Sequence, residues 1–170
     1  MTTSMATRSE PPNTITVQSS LLGSLTVPAE LCLTFPDGLL GFPRNQRFVL
    51  LPATPNGILW LQGVDDESLI FLVVDPYVYF SDYGFELTKV DRLATGVTEE
   101  SDTAVLAIVT LPRHKGVSCT VNLQGPLFVD FTTRRGWQVI LADSSYGTQH
   151  DVELALNTAP DCSSSPTSGR

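Results

Sequence analysis

Through the middle of the chain, apolar residues recur mostly at every second position, the spacing of half-buried strands and not of helices. Ile15, Val17, Leu21, Leu25 and Val27 share one parity while Gln18, Ser20, Ser24 and Thr26 share the other. With Gly23 offering a bend, this first run reads as a bent strand or a hairpin. Leu31, Leu33 and Phe35 repeat the alternation, and Pro36-Asp37-Gly38 ends it with turn chemistry. Further strands are predicted over 47–51, 57–63, 69–74, 104–111, 117–123, 127–132 and 137–142. The run 104–111 is apolar on both parities, as expected of a strand covered on both faces. In 117–123, Val117, Cys119, Val121 and Leu123 oppose Ser118, Thr120 and Asn122, which predicts one wet face. Two stretches read as helical: 87–93, and one opened by Thr98 with Glu99, Glu100 and Asp102 near its start.

Many short strands without regular intervening helices predict an all-β, mainly antiparallel fold. The expected architecture is a small closed or partly open β-barrel with one or two short helices, since closure removes sticky edges. Residues 1–13 and 157–170 are polar, rich in Ser, Thr and Pro, and aperiodic, so they are expected to be disordered tails around a single domain over 14–156. At 170 residues and 42% hydrophobic, the chain can build one real core.

Charge narrows the partners. Eighteen acidic against ten basic residues leave a net charge of −8, which disfavours direct nucleic-acid binding and favours a basic partner. The longest apolar run spans 69–74, far short of the roughly 20 residues that cross a bilayer, and no secretory signal pattern opens the chain. A cytoplasmic protein, monomeric when unbound, is expected. Cys32, Cys119 and Cys162 are widely spaced and odd in number, which suits reduced thiols better than a disulfide framework or metal site.

Catalytic candidates are few. His114 lies in a basic turn and His150 beside Asp151, and no GxSxG, HExxH, P-loop or GxGxxG pattern supports either. No catalytic residue, metal or cofactor is therefore expected; the competing reading is a small β-barrel enzyme or carrier using His150 with Asp151, a metal, or a flavin among Tyr77, Tyr79 and Tyr83. Contact chemistry is richer. Asp65, Asp66 and Glu67 form an acidic turn, while Asp75 and Pro76 precede Tyr77, Tyr79, Phe80 and Tyr83, rings of the type enriched at interfaces. Asn122 precedes Gln124-Gly125-Pro126 and can satisfy that turn's backbone or offer an amide to a partner.

Several segments, in order, resemble the flagellar assembly factor family FliW. Residues 35–42 (FPDGLLGF) match its FPxGLxGF signature. Leu61-Gln62, Asp65-Asp66, Phe71 and Val74-Asp75-Pro76-Tyr77 follow, then Val109-Thr110, Asn122-Leu123, Pro126, Gly136 to Leu141, Tyr146 and His150. The similarity spans about residues 15–153. It departs at Gln124-Gly125, where leucine-alanine is usual, and at Asp130-Phe131, where isoleucine-asparagine is common. The resemblance implies a β-barrel-like protein that binds flagellin as a chaperone and also binds and antagonises the RNA-binding translational regulator CsrA, coupling flagellin secretion to its translation. The residues expected to touch partners are Asp65, Asp66, Glu67, Asp75, Pro76, Tyr77, Phe80, Tyr83, Asn122 and Gln124.

Overall fold

A computed structural model describes residues 13–114, 117–142 and 144–154. Apart from Asn13, the tails expected at 1–13 and 157–170 lie outside the described residues. The strands are β1 (Thr14–Ser19), β2 (Gly23–Pro28), β3 (Cys32–Thr34), β4 (Arg47–Pro52), β5 (Leu59–Gly63) and β6 (Ile70–Val74), followed by β7 (Thr103–Thr110), β8 (Cys119–Val121), β9 (Leu127–Asp130), β10 (Arg135–Gln138) and β11 (His150–Val152). Seven of them form a closed ring in the order β3-β4-β5-β6-β7-β9-β10, and β10 returns to β3. Antiparallel neighbours alternate in direction, so a ring with an odd number of strands must contain a pair pointing the same way. That pair is β10 with β3, joined at Arg135 and Thr34 and by the Thr34 amide donating to the Arg134 carbonyl at 2.9 Å.

Period-two alternation explains how one sheet makes several cores. The inward parity supplies Leu33, Phe48, Leu61, Val73, Leu106, Leu127 and Val129, which pack with Phe35 and Leu39 inside the ring. β10 contributes no inward side chain at Gly136, and the Phe35 ring fills that space: a Cβ at Gly136 would lie 2.6 Å from ring atom Cε1. The outward parity is covered in patches. The first run folds as the β1–β2 hairpin, which lays Val17 and Val27 on Val49. β8, β11 and the segment carrying Tyr83 cover Leu72, Val74 and Val109, while Leu87 and Val97 cover Phe128. The double-sided apolar run is β7, with Leu106 and Ile108 inward and Ala107 and Val109 outward. β7 also forks: residues 103–106 pair with β9 and residues 109–110 with β8.

The helices are α1 (Pro76–Tyr79) and α2 (Lys89–Thr95). In α2 the Thr88 hydroxyl and Asp91 carboxylate form a capping box, and Gly96 closes the helix at φ +73°. The expected 87–93 helix is therefore present, shifted by two residues. The helix expected from Thr98 is absent. The Ser101 amide donates to the Thr98 carbonyl, making one turn, and β7 starts two residues later, because acidic capping residues with no apolar stripe behind them cannot hold a helix. The strand expected over 137–142 is displaced to β10, and β11 is additional. Over 117–123 only Cys119–Val121 is strand, and Val117 is exposed.

Gly136→Ala is expected to lower stability by about 1–3 kcal/mol, because the Phe35 ring must move in a filled interior. Phe35→Leu should cost less in the Gly136→Ala background than alone, measured by denaturant unfolding of the four proteins. Equal costs in both backgrounds would show that the two sites are uncoupled.

Candidate functional site

The candidate residues fall into two places. β6 stands between them: the acidic turn precedes it and Asp75 follows it, roughly 16 Å apart along five extended residues.

In the turn, Arg47 binds Asp65 with two hydrogen bonds, Nε to Oδ2 at 2.9 Å and a closer one from its second nitrogen to Oδ1. This hydrogen bonding and the adjacent positive charge hold the Asp65 carboxyl below its ordinary pKa. Asp66 accepts from the Ser68 hydroxyl at 2.7 Å and the Ser68 amide at 3.0 Å, which lowers its pKa as well. Beneath them the fully buried Gln62 directs Nε2 at the carbonyls of Gly63, Asp66 and Leu69, at 3.0 to 3.2 Å. The Ser20 amide donates to the Glu67 carbonyl at 2.8 Å, which ties the turn to the β1–β2 hairpin. Of the three carboxylates, two therefore shape the turn, and Glu67 points its charge outward.

The second place is aromatic. Asp75 caps α1 by accepting from the Tyr77 amide at 2.8 Å, and Pro76 is buried in the first turn. Tyr77 stays partly exposed with its ring 5.4 Å from that of Tyr83, which lies 4.8 Å from Tyr146. Burial pushes the Tyr83 phenol far above its usual pKa, and its hydroxyl donates to the Leu123 carbonyl at 3.2 Å. The Tyr146 hydroxyl donates to the Asp82 carbonyl and accepts from the Gly84 amide. Asn122 Oδ1 accepts from the amides of Gln124 and Gly125, so this carbonyl shapes the turn that presents Leu123. Phe80 meets His150 edge-on at 6.0 Å, and His150 Nε2 accepts from the Gly147 amide at 2.8 Å. A cavity of about 320 Å³ opens among Tyr79, Phe80, Tyr83, Leu123, Tyr146 and His150. The structure thus gathers Asp75, Pro76, Tyr77, Phe80, Tyr83, Asn122 and Gln124, and leaves Asp65, Asp66 and Glu67 apart.

The carrier reading fares differently. Tyr77 lines another cavity, of about 540 Å³, with Phe85, Arg92, Glu99 and Phe128, so the three tyrosines do not surround one ligand space. Asp151 follows His150 in an extended strand and projects to the opposite side, where it cannot orient that imidazole. Among the described residues, no three of His, Cys, Asp and Glu are grouped to hold a metal. Cys32 and Cys119 are free thiols, Cys32 raised in pKa by burial, and Cys162 lies outside the described residues.

Two features escaped the sequence reading. Gln138 joins separate loops: Oε1 accepts from the Leu40 amide at 2.8 Å and Nε2 donates to the Gly125 carbonyl at 3.0 Å. Its polar side chain within an otherwise apolar run was the available signal. The other is the apolar pair that α2 turns to solvent, Val90 at 74% and Leu93 at 85% exposed.

The ion pair yields a pH prediction. The Asp65 carboxyl is depressed in the folded chain, so its contribution is present above the ordinary carboxylate pKa and is lost as pH falls through the depressed value. Both side chains are half exposed, which keeps the contribution within about 1 kcal/mol. In Arg47→Met, a carboxyl NMR titration should find Asp65 moved back up toward the ordinary carboxylate range. An unmoved titration would remove the pairing as the cause.

Comparison with known proteins agrees over the same region. The family described as "FliW protein" matches residues 16–152. A "Flagellar assembly factor FliW" from Natranaerobius thermophilus is 36% identical over 137 residues, covering 80% of this chain and 91% of the relative. One from Treponema denticola is 33% identical over 145 residues, covering 84% and 97%. A solved structure, "Crystal structure of the flagellar assembly factor FliW", superposes with a TM-score of 0.73 at 29% identity over 80% of this chain and 95% of that one.

Proposed function

The chain belongs to the FliW family, whose role lies in flagellar assembly, and we propose that within this role it grips two protein partners in turn, flagellin as a chaperone and the translational regulator CsrA as an antagonist. In this reading, export of flagellin frees the factor to bind CsrA and relieve repression of flagellin translation. Accumulated flagellin occupies it again. The partners and the factor meet in the cytoplasm, the unbound factor is a monomer, and no reaction is assigned to it. Among the described residues, no helix is long and apolar enough to cross a membrane.

The observation that carries the proposal is the excursion between β6 and β7. Residues 75–102 contain seven carboxylates and two cations, and within them Tyr77, Val78, Val90 and Leu93 expose apolar surface. Concentrated negative charge steers a basic RNA-binding face toward this side and repels RNA competing for it. The exposed apolar side chains then have something to bury. Asp75, Tyr77 and Phe80 make the contact surface, supported from beneath by the buried Pro76 and Tyr83 and from behind by Asn122 and Gln124, and Asp65, Asp66 and Glu67 make a separate acidic one.

Sizing-column co-elution with each partner at micromolar concentration is the direct test, with a shift expected for both. Glu99→Lys with Glu100→Lys should weaken CsrA binding tenfold or more at low salt, and the difference should shrink as salt rises. Absence of any shift with either partner would end the reading.

A further inference from the structure

We propose that Asn56 is a site of spontaneous covalent modification, its side-chain amide being converted, through a cyclic imide formed with Gly57, into aspartate and isoaspartate. A glycine after asparagine or aspartate leaves the next backbone nitrogen unhindered for attack on the side-chain carbonyl carbon. The chain has two such dipeptides, Asp37-Gly38 and Asn56-Gly57, and the fold treats them in opposite ways.

At the first, the Gly38 amide donates to the Phe35 carbonyl at 2.9 Å, and a Cβ on Gly38 would lie 2.5 Å from the Phe42 carbonyl oxygen. The attacking nitrogen is tied, and the space around it is filled. At the second, in the loop between β4 and β5, both residues are exposed and nothing lies within 4 Å of where a Gly57 Cβ would be. The Asn56 backbone amide donates to the Thr54 hydroxyl at 3.3 Å. Among the described residues, no hydrogen bond engages the two groups that react, the Gly57 amide and the Asn56 side chain. Asn122, by contrast, has its side-chain carbonyl held by two backbone amides.

The chemistry needs only water. A solvent base takes the Gly57 amide proton, the nitrogen attacks Asn56 Cγ, and the bond from Cγ to the side-chain nitrogen breaks, releasing ammonia. Water then opens the imide. Cleavage at Cγ gives aspartate, and cleavage at the main-chain carbonyl gives isoaspartate, whose backbone runs through the side chain and is longer by a methylene. Either product adds a negative charge. Isoaspartate also lengthens a loop closed by the Ala53 and Thr54 amides, which both donate to the carbonyl of the wholly buried Ile58, at 2.9 and 3.2 Å. Those two hydrogen bonds loosen in the isoaspartyl chain.

The full chain is aged in mildly alkaline buffer, digested and mapped by mass spectrometry, with an isoaspartyl methyltransferase labelling the isoaspartate. The peptide carrying residue 56 should exchange NH for O and take the label. Aspartate cyclises more slowly than asparagine, so each rate is compared with that of the same peptide in guanidinium chloride. Folding should suppress labelling at Asp37 about tenfold more than at Asn56, because only Gly38 is held by the fold. Asn56→Gln, whose imide would need a larger ring, should abolish the label at this position without moving the thermal melt. Amide exchange at Ala53 and Thr54 should quicken in the isolated isoaspartyl fraction. Equal suppression at the two dipeptides, or an Asn56 that stays intact in the folded chain while the unfolded chain converts it, overturns the proposal. Unquickened exchange at Ala53 and Thr54 overturns the loosening of the loop.

Discussion

A ring of seven strands cannot be antiparallel throughout, and the parallel seam between β3 and β10 is the constraint around which the chain is arranged. Only Arg135 and Thr34 pair there, too little backbone bonding to hold two strands, so side chains complete the joint. Phe35 leaves the end of β3 and turns inward beneath Gly136, where any Cβ would collide with it. The loop that follows is shaped to let this happen. Gly38 adopts φ +66°, and a Cβ there would lie 2.5 Å from the Phe42 carbonyl oxygen, so the turn is closed to other residues. Leu39 then buries in the same interior, and Gln138 clasps the Leu40 amide from β10. The FPDGLLGF segment is therefore a seam filler first, although Leu40 and Phe42 still reach solvent.

The barrel was legible because burial on a pleated strand leaves a two-residue rhythm, and the inward set from Leu33 to Val129 follows it. Closure in detail was not, since nothing local tells that β10 meets β3 a hundred positions back. The hairpin reading of the first run resolved at its tip around Leu21 and Gly23. Asp75-Pro76 carried a readable helix start, a cap followed by proline, but four residues of α1 leave no periodicity to confirm it. Thr98 misled in the reverse way, with capping chemistry and no apolar stripe. For the site, residue types were readable and their grouping was not. Asp65 and Asp75 are near in sequence, yet β6 lies between them at full extension. Asn122 settled toward backbone support, a role that depends on a turn whose shape only the fold shows.

The departures from the family pattern also acquire physical roles. Gly125 is wedged between amides: a Cβ there would lie 3.2 Å from Gln138 Nε2 and 3.3 Å from Asn122 Nδ2. Asp130 is wholly buried and takes the Thr132 amide and the Thr133 hydroxyl, each at 2.9 Å, which shapes the β9–β10 turn leading into the seam. Both changes lie in the support of the barrel, so the departures that reach the surface are Gln124 and the exposed Phe131.

The hydrogen bond between Leu40 and Gln138 spans 98 residues, which sets a timetable for the newly made chain. Until residue 138 has left the ribosome, β3 has an unpaired edge and Phe35 has no glycine to lie beneath, so the interior stays open while most of its residues already exist. A topology so dependent on distant pairing folds slowly and exposes sticky surface during synthesis. A protein whose family serves the assembly of another polymer thus carries, in its own seam, a period of vulnerability to misassociation.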